Sequence, residues 1–117
     1  MGRLEEVQKE ERVLLEKEET ITDGMKQLSI IKEEYEQQFH DASRFFHQLE
    51  FQFQKSNDRI FFENTTDEIH QKSRQILERL EIDTDELHNE KRAIEHTIDE
   101  LAYEKKRIAM EEEKNEH

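Results

Sequence analysis

Apolar residues return every seven positions from Val7: Val7, Leu14, Ile21, Leu28, Tyr35, Ala42 and Leu49 form an unbroken series. A repeat of that period is the mark of a helix with one apolar stripe. The companion column, three residues earlier, reads Leu4, Glu11, Glu18, Met25, Lys32, Phe39, Phe46 and Phe53, and turns aromatic toward its end. Together the two columns predict one long helix over about 3–55. A second series runs through Leu80, Leu87, Ile94, Leu101 and Ile108, led by the polar Ser73, with Phe62, Ile69 and Ile76 in the adjacent column. It predicts a helix over about 60–114. Between them lies Lys55-Ser56-Asn57-Asp58-Arg59, where Ser, Asn and Asp compete for backbone groups and favour a turn, here at about 56–59.

Folding the chain at that turn mates the stripes. Antiparallel helices with equal rise per residue require facing position numbers to add to a constant, here about 115. Val7 is then expected opposite Ile108, Leu14 opposite Leu101, Ile21 opposite Ile94, Leu28 opposite Leu87 and Tyr35 opposite Leu80. Phe39, Phe46 and Phe53 meet Ile76, Ile69 and Phe62, while Leu49 continues the seam and Lys32 falls beside Asp83 as a charge pair. A competing fold uses Thr65-Thr66-Asp67-Glu68 as a capping box and shifts the register by one heptad. That shift sets Phe39 against Asp83 and leaves Ile60, Phe61 and Phe62 in a loop, so the tight turn is favoured. Gly24, beside Thr20, Thr22 and Asp23, weakens the first helix and marks a place where it either kinks or runs on.

Composition sharpens this picture. With 32% hydrophobic and 42% charged residues in 117, the chain cannot build a thick globular core. Pro is absent and Gly occurs twice, which removes the usual punctuation of sheets and short loops. The fold class expected is all-α: a single long antiparallel two-helix hairpin, coiled-coil-like, able to complete a four-helix bundle with a partner or a second copy. A net charge of −13, with Lys and Arg interleaved among Glu, disfavours nucleic acid and anionic lipid as partners. No stretch is long and apolar enough to span a membrane and no classical signal peptide is visible, so the expected location is cytoplasmic, or exported together with a partner.

Catalytic and metal chemistry finds little footing. Cys is absent, and none of His40, His47, His70, His88, His96 and His117 lies three or four positions from another, the spacing that brings two imidazoles together on a helix. The Glu-rich runs, such as Glu111-Glu112-Glu113, read as solvated helix faces. No phosphate-binding loop or activated nucleophile is present. The expectation is a protein that is not an enzyme, with no catalytic residues, no metal, no cofactor and no small-molecule substrate.

The apolar residues outside the seam carry the functional signal. Phe45, Phe51 and Phe61 gather near the turn, and Ile30, Ile31, Leu77, Ile98 and Tyr103 lie off the stripe along the helices. The phenylalanines either pack around the turn as a plug or, with the other five, form anchors for a helical protein partner. A homodimeric coiled-coil scaffold is the alternative, since the same stripe serves a homo-oligomer.

The turn segment Phe53-Gln54-Lys55-Ser56-Asn57-Asp58-Arg59-Ile60-Phe61 resembles that of the WXG-type helical hairpins of type VII secretion. Phe53 and Phe61 keep the outer aromatic spacing, Lys55 stands at the Gly position, and Phe stands where Trp would be. In size, hairpin layout and Phe-rich turn the chain is more similar to divergent, highly charged relatives: the LXG-toxin-associated small α-helical accessory proteins of Gram-positive bacteria. The resemblance implies a chaperone-like targeting factor. It would bind the helical N-terminal domain of a toxin, alone or with a second small helical protein, and deliver it to the secretion machinery. Tyr103 is followed four positions later by Arg107, not by the acid of the export motif in such systems, so export is expected to depend on the partner.

Overall fold

The structure, a computed structural model, describes residues 2–116. It is an all-α two-helix hairpin: α1 spans Arg3–Gln52 and α2 spans Arg59–Glu116. Helix one stops three residues before the expected end because the chain tightens immediately after it. Phe53 N–H still donates to the Leu49 carbonyl, but Ser56 N–H turns back to the carbonyl of Phe53 at 2.9 Å. Ser56 then holds the next corner, its hydroxyl accepting from Asp58 N–H at 3.1 Å. The Asp58 carbonyl opens α2 by accepting from Phe62 N–H. Thr65 lies inside α2 with its hydroxyl donating to the Phe61 carbonyl at 2.9 Å, so it caps nothing and the longer-loop register is not adopted.

Contacts divide the chain into two compact units, Met1–Lys26 with Asp85–His117, and Gln27–Thr84. In the first, the buried core is Val7, Leu101 and Ile108, with Leu4 and Leu14 packed against it. Glu11, a polar interruption of the stripe, is answered from the other helix by Lys105, whose Nζ lies 2.8 Å from its carboxylate. Arg3 reaches Glu104 at 3.4 Å. Ile21, Leu87 and Ile94 are half-buried in the same unit. Among the described residues the buried aliphatics number three, each still 5–7% exposed, because two helices present only a narrow stripe to each other.

In the second unit the seam is aromatic and partly polar. Leu28, Tyr35, Phe39, Phe46, Leu49, Phe62, Ile69 and Leu80 are half-buried. Ser73, the polar member of the stripe, is the most buried residue here, 3% exposed, and accepts a hydrogen bond from the Tyr35 hydroxyl at 3.2 Å. The pairing of Tyr35 with Ser73 lies one heptad nearer the turn than Leu80, the residue expected opposite it. Phe39 likewise packs edge-on against His70, with ring centroids 5.4 Å apart, where Ile76 was expected. Ile76, without that aromatic cover, is exposed. Phe53 is also exposed because it lies beyond the end of α1, although its ring stacks on Phe62 at 5.0 Å. The charge pair expected between Lys32 and Asp83 is replaced: Asp83 pairs with Arg79, one turn away on its own helix, at 3.3 Å.

Helix α1 runs unbroken through Gly24. A Cβ placed there meets only Leu87 Cδ1, at 3.6 Å, an ordinary van der Waals contact. Gly24→Ala therefore adds helix propensity without a clash and raises stability by about 0.5–1 kcal/mol. Thermal melting followed by circular dichroism reads the shift, and a lowered midpoint would show that the backbone at this position is not the regular helix described.

Candidate interaction surface

Among the described residues, both units leave large apolar side chains exposed. Near the turn, Phe45, Phe51 and Phe61 are exposed, Phe51 to 72% and Phe61 to 64%. Two of them rest on seam rings: Phe45 lies edge-on to Phe46 at 5.6 Å, and Phe61 to Phe62 at 5.5 Å. That bracing restricts their rotamers before any partner arrives, which lowers the ordering cost of binding. Phe51 has no such support and lines a polar depression with His47, Glu50, Arg59 and Glu63. There Arg59 donates to Glu63 at 2.8 Å, and this bond, with the carboxylate charge, raises the guanidinium pKa further. Six positions separate Phe45 from Phe51, which sets them about 120° apart around α1. They cannot sit in one flat contact.

The other off-stripe positions divide in two. Ile30, Ile31 and Tyr103 are exposed, whereas Leu77 and Ile98 are half-buried. Leu77 lines a depression with Phe39, His70 and Arg74, so part of its surface is spent on its own hairpin.

In the unit formed by the two ends of the chain, an open groove of about 700 Å³ runs between the helices. The seam residues Ile21 and Ile94 lie within it, and Val13, Thr20 and Ala93 form its sides. A second depression shares Val13 and extends the groove past Leu14 and Thr97. Val13, Lys17 and Thr20 follow at helical spacing along one flank of α1, as Glu90, Ala93 and Thr97 do along α2. The groove exists because Thr20, Ala93 and Thr97 are too small to cover the aliphatic seam beside them.

Among the described residues no group of three or more His, Asp and Glu is placed to hold a metal ion, and no helix is long and apolar enough to cross a membrane. His47 and His96 each lie beside a glutamate of their own helix, Glu50 at 4.0 Å and Glu100 at 2.8 Å. His117 lies outside the described residues.

A family model described as a protein of unknown function, DUF3958, matches residues 2–108. The chain belongs to the DUF3958 family. No curated protein and no solved structure matches it. The match covers both helices of this DUF3958 member through Ile108, the last buried residue of the seam.

The stripe pointed to the exposed phenylalanines, because large apolar residues off a seam stand out in a sequence this charged. It did not point to the groove. Its signal was present as small residues at i and i+4 beside the seam, Ala93 and Thr97, but smallness matters only once the opposite flank, at Val13 and Thr20, is known to be open as well.

Proposed function

We propose that this protein is a non-catalytic adaptor that binds a helical protein and completes its bundle. What supports the reading most is the apolar surface the hairpin leaves uncovered: braced, exposed phenylalanines near the turn in a chain where 42% of residues are charged. Exposed aromatics beside polar residues are the usual anchors of protein interfaces. The turn from Phe53 to Phe61, and its resemblance to LXG-associated accessory proteins, supplies the kind of partner. That partner is the helical N-terminal domain of a secreted toxin, alone or with a second small helical protein, and the adaptor's role is to escort it to type VII secretion.

The test is the mass of the chain in solution, alone and co-expressed with the products of adjacent genes. A defined complex with a helical partner is the expected result, and replacing Phe45 and Phe61 by Ser should weaken it by about 1–3 kcal/mol. A compact monomer that binds no helical neighbour sinks the adaptor reading. A dimer of this chain that ignores every neighbour would instead favour the homodimeric scaffold.

A further inference from the structure

We propose that the groove between α1 and α2 at Val13, Thr20, Ala93 and Thr97 is the docking site for an amphipathic α-helix whose apolar stripe is bordered by Lys or Arg on the flank lying over α2. The proposal rests on the adaptor reading for its purpose and adds the place and the chemistry.

Shape selects a helix. The groove is bounded by two helices and left shallow by Thr20, Ala93 and Thr97, so a third helix can approach to ordinary packing distance and cover Ile21 and Ile94. A small molecule would be left largely in water by so open a site. Val13, 43% exposed, stands on the α1 wall as the apolar contact such a helix would cover.

Charge then selects which helix. Glu90 lines the α2 side, and Glu86 and Glu100 flank Ala93 at seven-residue spacing on the same face of α2. Among the described residues none of these three carboxylates is paired with Lys or Arg, although His96 reaches Glu100. The α1 side is mixed, with Glu10 and Glu16 interleaved with Lys9 and Lys17. An incoming helix therefore meets Glu86, Glu90 and Glu100 over α2, with His96 beside the last of them, and both signs over α1. A second copy of this chain is the poorer occupant, since each carries −13 and would bring further carboxylates to an acidic edge.

Fluorescence anisotropy with two labelled peptides tests this on the full chain. Both are about three heptads long with the same Leu/Ala stripe, one flanked by Lys and the other by Glu. The Lys-flanked peptide should bind saturably at one per chain and the Glu-flanked one at least about tenfold more weakly. Ala93→Glu should weaken the Lys-flanked peptide about tenfold even though it adds a negative charge, and Val13→Glu, at an exposed position that leaves folding intact, should do the same. Diffuse attraction to an acidic surface would be strengthened by either change, so unchanged or tighter binding overturns the proposal. Equal binding of both peptides also overturns it, as does a dimer of the unliganded chain that Ala93→Glu converts to a monomer. Natural-partner binding that survives Ala93→Glu but not loss of Phe45 and Phe61 would overturn the groove and leave the adaptor standing. Peptide binding that behaves as expected in a chain with no natural partner would do the reverse.

Discussion

Replacing Leu101 by Ala lowers the stability of the protein by about 2–3 kcal/mol and its melting temperature by roughly 10 °C. Leu101 is 7% exposed and, among the described residues, shares the buried core with only Val7 and Ile108, supported by Leu4 and Leu14. Truncation removes the transfer energy of the lost methyl groups and leaves a gap that two helices close only in part. The figure sits toward the lower end of core truncations because two helices can draw together more freely than a globular interior can. It is still a large share of the margin that holds a small domain folded. Chemical denaturation of wild type and variant measures it, and a loss below about 0.5 kcal/mol would show that the ends of the chain are not held by this core.

A larger contrast is expected at Ser73. Ser73→Asp should cost about 2–3 kcal/mol, because the short carboxylate cannot reach water from a site only 3% exposed and has a single hydroxyl, that of Tyr35, to answer it. Ser73→Ala should be close to neutral. It loses one hydrogen bond, about 1 kcal/mol net, but gains helix propensity and places a methyl group in the seam. Stability then rests on keeping charge out of this position and not on the hydroxyl itself. Measured side by side with Tyr35→Phe, the pair gives a double-mutant cycle whose coupling should be about 0.5–1 kcal/mol. An Asp variant as stable as wild type would mean that position 73 faces solvent and that the seam of this unit is arranged otherwise.

The polar stripe members changed meaning between sequence and structure. In the heptad columns Glu11 and Ser73 are interruptions, positions where an apolar repeat fails. In the fold each is answered from the other helix, Glu11 by Lys105 and Ser73 by Tyr35. Polar groups within an apolar seam fix which residues face each other, since a shifted pairing leaves them buried without a partner. The aliphatic part of the stripe would mate almost as well after a shift of one heptad. The observed arrangement is therefore set by these pairs and by the closure of the turn from Phe53 to Asp58 as much as by the aliphatics.

The two helices, their common stripe and the reversal between them follow from the sequence by itself. Seven-residue spacing, a chain without Pro, and one run of Ser, Asn and Asp are local properties that need no tertiary information. So are the large apolar residues left off the seam: Phe45, Phe51 and Phe61 stand out by type and position alone. Only the tertiary structure decided that Tyr35 reaches Ser73, that Phe39 turns to His70 and leaves Ile76 uncovered, and that Asp83 pairs with Arg79 in place of Lys32. It alone also revealed the groove at Val13, Thr20 and Ala93. Side-chain length, turn closure and the smallness of residues on two facing flanks act jointly, and a pattern read along one strand of chain at a time cannot combine them.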